Sequence, residues 1–234
     1  MRYIGAVQVT TLRPAELDGA DLDITLVIDV FRATSTAATL LSRFPVDLAI
    51  VATPPDLSRL PSRGGGYLVF SELDESAQYG ERVDNSPTVA ATVELGARLP
   101  VLVTSNGTRA THAAMSCSNR VFLASFLNAA ATVQFVAQTG ARSVTVVPSG
   151  SVSQASAHIE DDCCASALED LLHEKKPDYR QLMGTIRDNE RVKRRQLKIA
   201  DDIERALKPS TLSTVIEVHK GPNPGVPYVA RVAS

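Results

Sequence analysis

Carboxylates, arginines and hydroxyl side chains gather at three places in this 234-residue chain, each just beyond an apolar run. Residues 24–30 read Ile-Thr-Leu-Val-Ile-Asp-Val, with Asp29 as their single carboxylate, and lead into Phe31-Arg32-Ala33-Thr34-Ser35-Thr36. Residues 101–103 lead in the same way into Thr104-Ser105-Asn106-Gly107-Thr108-Arg109. The third place follows residues 143–147, where Pro148-Ser149-Gly150 and a serine-rich loop precede Glu160-Asp161-Asp162. Such a set suits an anion held beside a metal. Free N–H groups at a helix start, together with the helix dipole, attract a phosphate. Gly107 would let the backbone approach one, Ser105, Asn106 and Thr108 add neutral donors, and Arg32 and Arg109 offer forked cations that match a dianion. Asp29, Glu160 and Asp161 supply the hard oxygens that Mg2+ takes, usually one or two carboxylates completed by water and substrate oxygens. Phosphoryl transfer, to water or to a carboxylate nucleophile, is the chemistry these residues could serve.

Each stretch also has an ordinary use. Asp29 and Arg32 could form a structural ion pair, Ser105 to Thr108 a turn and helix cap, and Glu160 to Asp162 a dipole-stabilised first turn. Chemistry is favoured because the three coincide at successive strand ends. Other features read as structural. His112, His158, His173 and His219 lack paired ligand spacing, and Cys163 and Cys164 read as core thiols. Residues 191–195, Arg-Val-Lys-Arg-Arg, read as a solvated helix face balanced by Asp201, Asp202 and Glu204 rather than a nucleic-acid patch. Gly64-Gly65-Gly66 lacks the spacing of a nucleotide phosphate loop.

The elements that must position these residues alternate. Strands are expected at residues 4–9, 24–30, 48–52, 67–70, 101–103, 121–124, 143–147, 214–218 and 228–232. Helices are expected at 32–42, from a cap at Ser86 with Pro87 through an apolar face of Val89, Val93 and Ala97, then to Met115, at 128–138, from about Glu160, and as one or two charged helices over 177–207. Residues 71–85 read as an acidic, polar connection. Runs that are apolar on both faces require cover on both sides, which makes the fold α/β with buried, largely parallel strands. Ligands in such sheets sit beyond the carboxyl ends of the strands.

Composition bounds the rest. Hydrophobic residues make up 44% with no Trp, so the core is aliphatic, and 234 residues fit either one large α/β domain or two intimate halves. The net charge of -2 carries no global attraction to nucleic acid. Three cysteines form no disulfide framework, and neither a signal peptide nor a membrane span is visible, so a soluble cytoplasmic protein is expected.

The residues from Asp29 to Thr36, Asn85-Ser86-Pro87, the run from Thr104 to Ala110 and the pair Glu160-Asp161 resemble the 2-phosphosulfolactate phosphatase family. The resemblance implies a three-layer α/β/α fold with a mostly parallel or mixed sheet, one phosphatase-like domain over residues 1–234, and a magnesium-dependent phosphatase. Its substrate would be a small anionic phosphate ester such as 2-phosphosulfolactate, used in coenzyme M biosynthesis where that pathway exists, and its state a homodimer. Carried over by motif, Asp29, Glu160 and Asp161 would be metal or catalytic residues, while Arg32, Ser86, Asn106, Gly107, Thr108 and Arg109 would hold the phosphate or a second anionic group. Arg82 and Asp84 stand where family members carry aspartate and glycine. A non-catalytic anion-binding protein that keeps the fold is the alternative expectation.

Overall fold

The computed structural model describes residues 7–152, 154, 156–223 and 225–233. Its strands form where branched side chains find cover on both faces. In β2 (Leu22–Ile28), Ile24, Leu26 and Ile28 pack into one buried cluster and Val27 into another. The same division runs through β7 (Ser118–Ala124), where Phe122 and Ala124 oppose Val121 and Leu123, and β8 (Ser143–Pro148), where Val146 opposes Val147. With β1 (Gln8–Thr11) these strands make a parallel group in the order β1-β8-β2-β7. A second parallel group, β3-β6-β4-β5, comprises β3 (Leu48–Val51), β6 (Leu99–Val103), β4 (Tyr67–Phe70) and β5 (Glu81–Val83). Between the groups lies the antiparallel hairpin of β9 (Ile216–Asn223) and β10 (Val226–Val232), and all ten strands join one mixed sheet.

That hairpin has a topological consequence. Three antiparallel pairings in a row, β7 with β9, β9 with β10 and β10 with β3, reverse the second group relative to the first. In a flat sheet the carboxyl ends of β2 and β6 would then lie on opposite edges. The two ends nevertheless meet, since a Cβ at Gly107, just past β6, would fall 2.7 Å from Asp29 Oδ2, just past β2, so the sheet is twisted and coiled, not flat.

Helices α1 (Ala33–Arg43) and α3 (Gly107–Cys117) pack on one side of the sheet. Ala37, Leu40 and Ala110 share a cluster with Val27 and Leu123 of one strand group and Ile50, Phe70 and Leu102 of the other. Burial of each large aliphatic side chain there is worth about 1.5–3 kcal/mol, so this shared cluster ties the groups together. On the opposite face of the first group, α4 (Ala129–Gln138), α5 (Ile159–Leu172), α6 (Tyr179–Asp188) and α7 (Glu190–Ala206) contribute Val133, Leu168, Ile186 and Ile203 to a second cluster. The architecture is a three-layer α/β/α sandwich.

Most expected elements are present, with instructive differences. The first strand runs Gln8–Thr11 instead of residues 4–9, of which 4–6 lie outside the described residues. Pro224, within the expected turn near the carboxyl end, also lies outside them. The helix capped by Ser86 is a single turn, α2 (Pro87–Ala90), and does not reach Ala97; Arg43 Nη1 takes up the carbonyls of Ala90 (3.0 Å) and Val93 (2.8 Å), and the chain turns again through Gly96 at φ 58° before β6. Strand β5 lies inside the stretch read as a polar connection, since an edge strand paired only with β4 needs no apolar run. Cys163 and Cys164 are buried free thiols, and no helix among the described residues is long and apolar enough to cross a membrane.

Candidate active site

Asp29 lies one residue beyond β2, at the turn into α1. Thr34 closes that turn: its Oγ1 donates to Asp29 O (2.9 Å) and accepts from Asp29 N (3.1 Å), while Ser35 Oγ donates to Val30 O (2.9 Å). The turn from β6 into α3 uses the same device, with Thr108 Oγ1 donating to Thr104 O (3.0 Å) and accepting from Thr104 N (3.1 Å). Thr108 is fully buried, so its hydroxyl shapes the corner and does not face a ligand. Gly107 also differs from expectation. A Cβ there would fall 2.5 Å from Ala33 Cβ and 2.7 Å from Asp29 Oδ2, so the missing side chain lets α3 press against the carboxylate itself.

Glu72, which follows β4 within the stretch read as a polar connection, connects the corners. Its Oε1 accepts from Ser105 N (2.8 Å) and Ser105 Oγ (2.9 Å), and its Oε2 accepts from Asn85 Nδ2 (3.1 Å). Asn106 Oδ1 accepts from Val152 N (3.0 Å). Four segments far apart in sequence are thereby joined.

Arg32 is not a loose cation. Its Nη1 donates to Asp84 Oδ2 (2.6 Å) and Asp202 Oδ2 (2.8 Å), and its Nη2 to Asp84 Oδ1 (3.0 Å). Asp202, buried on α7, also accepts from Ser86 Oγ (2.5 Å) and Thr88 N (3.1 Å). Burial pushes the Asp202 carboxyl up, but the bonds from Ser86, Arg32 and Thr88 outweigh it and hold its pKa below the ordinary value. Ser86 thus caps α2, accepting from Val89 N at 3.0 Å, and buttresses Asp202 instead of facing the pocket. Arg109 is exposed on α3 and does not line the pocket.

The acidic turn of α5 reaches the same place. Asp161 Oδ1 accepts from Val30 N (2.8 Å), and its Oδ2 accepts from Ser149 Oγ (3.2 Å) and Gly150 N (3.0 Å), so both oxygens hold the ends of β2 and β8. Glu160 is buried. Its Oε2 is bonded to Arg191 of α7, whereas among the described residues its Oε1 has no hydrogen-bond partner, His158 Nδ1 lying 3.9 Å away. Burial pushes the Asp29 carboxyl up to about 7, with Glu72 and Glu160 adding to the push. Asp161 is raised by burial and then by Asp29 and Glu160. Among the described residues no three His, Cys, Asp or Glu side chains form a ready metal cage.

These parts enclose a small pocket of about 60 Å³ lined by Asp29, Phe31, Arg32, Glu72, Asn85, Ser105, Asn106 and Arg195. The helix read as a solvated face is therefore one of its walls: Arg191 holds Glu160, Arg195 lines the cavity and Asp202 anchors Arg32. A four-residue spacing from Arg191 to Arg195 places both on one side of α7, a signal available in the sequence but not interpretable without knowing what that side faces. A sequence profile described as 2-phosphosulpholactate phosphatase matches residues 11–221, which include every residue of this pocket. The chain belongs to that family. It is 33% identical over 159 residues to a "Probable 2-phosphosulfolactate phosphatase" of Synechocystis, covering 67% of this chain and 65% of that protein. A protein of the same description from Thermus thermophilus is 31% identical over 150 residues, covering 64% and 62%. The match thus spans somewhat less than two thirds of these relatives' lengths.

The two departures from the family pattern acquire structural roles. Asp84 supplies the bidentate partner of Arg32, and Arg82 bonds to Ser71 O (3.0 Å) and pairs with Asp74 (3.2 Å). Gly107→Ala tests how tightly the phosphatase-family corner is packed. Its Cβ must displace Asp29 or α3, an overpacking that costs about 1–3 kcal/mol. Thermal melting of G107A should fall by several degrees, and an unchanged melting temperature would show that the corner has slack.

Proposed function

We propose that the protein is a magnesium-dependent phosphatase for a small, multiply anionic organic phosphate such as 2-phosphosulfolactate, which it hydrolyses to sulfolactate and phosphate. The observation that carries this reading is a buried carboxylate, Asp29, lining a pocket of phosphoryl size with its carboxyl pushed up to about 7 by burial and by Glu72 and Glu160. Crowded carboxylates of this kind call for a cation. The orphaned Glu160 Oε1 points the same way, and Asp29 with Glu160 provides the one or two carboxylates that magnesium needs. Asp161, with both oxygens engaged, keeps the strand ends in register beside them. When bound, magnesium supplies charge neutralisation for phosphoryl transfer. The chain's own contribution is positioning: Glu72 fixes Ser105 and Asn85 at the pocket wall, and the hub of Arg32, Asp84 and Asp202 fixes α7 against the opening segment.

Phosphate release from 2-phosphosulfolactate, phospholactate and an aryl phosphate, each with magnesium and with chelator, tests the proposal. Magnesium-dependent release is expected from all three, fastest from the first two. Calorimetric binding of these compounds without release of phosphate would identify a non-catalytic anion-binding protein instead.

A further inference from the structure

Two arginines line the pocket, and they are not equivalent. The guanidinium of Arg32 is spent on Asp84 and Asp202. Arg195, from the middle of α7, makes one hydrogen bond, Nη2 to Phe31 O at 3.2 Å, and among the described residues it has no ion pair and no acceptor for Nε or Nη1. We propose that Arg195 is the catalytic cation that meets the transferring phosphoryl group, an assignment that rests on the phosphatase reading of the pocket.

Charge is the first argument. Asp29 and Glu72 line the cavity, so an entering phosphate dianion meets two carboxylates, and among the described residues the lining cation without a carboxylate partner is Arg195. Size is the second argument. At roughly 10–15 Å³ for each water-sized group, 60 Å³ holds about four to six such groups. That is room for a phosphoryl head within the enclosed space, with the rest of a phosphorylated three-carbon acid toward the open side. A side chain lining this space therefore contacts the head, and the remainder of the ester lies beyond it.

Position is the third argument. Arg195 lies between two anchors on the same helix, Arg191 bonded to Glu160 and Asp202 bonded to Arg32, Ser86 and Thr88. Its own bond to Phe31 O ties it to the segment between Asp29 and Arg32. A forked donor held in advance, with free N–H groups at the cavity, is the preorganised arrangement that stabilises charge as it develops. In hydrolysis the bond from phosphorus to the ester oxygen breaks and one to the oxygen of water forms. The electron pair leaves on the ester oxygen, which takes a proton from that water. Arg195 exchanges no proton and neutralises the non-bridging oxygens throughout.

The full-length wild type, Arg195→Gln, Arg195→Lys and, as a neighbour control on the exposed side of α7, Arg194→Gln decide the matter. Measured are phosphate release from 2-phosphosulfolactate and an aryl phosphate, calorimetric binding of inorganic phosphate, and melting temperature. R195Q should lose at least about 10²-fold in kcat on both esters and lose phosphate binding, with R195K partly restored, R194Q unaffected and all melting temperatures within a few degrees. Added guanidinium ion should raise the rate of Arg195→Ala. R195Q retaining wild-type kcat, or losing it only on the ester with the second anion, overturns the assignment while leaving the phosphatase reading intact. If no ester is turned over but phosphate binds to wild type and not to R195Q, Arg195 keeps its anion role and the hydrolytic reading falls. Absence of both turnover and phosphate binding in the wild type overturns both.

Discussion

Asp29→Asn is expected to lower magnesium-dependent phosphate release by at least about 10²-fold while leaving the fold intact. The carboxylate stands one residue beyond a strand whose last five residues are buried, with Glu72 and Glu160 near enough to raise it further, and the start of α3 pressed against it at Gly107. An amide keeps the shape and removes the charge that would hold a cation. The same substitution should stabilise the metal-free protein at alkaline pH. Because the folded-state carboxyl titrates near 7 and the unfolded one near about 3.9, the folded state binds the proton more tightly, and stability falls as pH rises between those values. In chelator at pH 8, D29N should therefore melt above wild type, by an amount reflecting a few kcal/mol at most. Near-normal turnover in D29N would remove Asp29 from the mechanism. A lower melting point in chelator would mean that the amide strains the corner.

Asp202→Ala should be the most destabilising single change among the charged residues. It removes a buried carboxylate that accepts from Arg32, Ser86 and Thr88 and leaves the guanidinium of Arg32 with Asp84 as its remaining partner, itself half exposed. Breaking a buried pair in this way costs about 3–5 kcal/mol. For a chain of this size that lowers the melting temperature by about 6–20 °C. Activity should fall with it, because α7 loses the anchor that sets it against the pocket. The pH dependence runs opposite to that of Asp29. Asp202 titrates lower folded than unfolded, so its contribution is present above the ordinary aspartate value and is lost as pH falls through the folded one. Asp202→Asn should flatten the acid limb of the stability profile below about pH 4. An unchanged acid limb, or a melting temperature within about 2 °C of wild type for D202A, would show that the hub carries little energy.

Much of the fold was legible in the chain because burial on two faces leaves a plain record. Residues 24–28, 67–70 and 143–147 are largely apolar on both sides, and each lies on a strand whose two faces enter different buried clusters. The corners were legible for a related reason, since a polar cluster at the end of a buried strand must either bond locally or meet a ligand. Which of the two each residue does was not legible. Thr34, Thr108 and Ser86 have the composition of ligand-binding residues, yet their hydroxyls close turns and brace Asp202. Arg109 has the right neighbours in sequence, yet the helical phase of α3 turns it to solvent.

Sequence alone determined that Asp29, Asn106 and Glu160 would stand at strand and helix ends, because apolar period and capping chemistry act over a few residues. Tertiary structure decided which of those ends meet. The inserted β9–β10 hairpin reverses half the sheet, and a sheet that departs from flatness brings the end of β6 back to the end of β2. It also decided that Glu72, Asn85 and Arg195 join them, since no spacing along the chain records a contact between an edge segment and a helix more than a hundred residues later. Charges that look solvated in one dimension become a pocket wall when packing selects the side of the helix that faces inward.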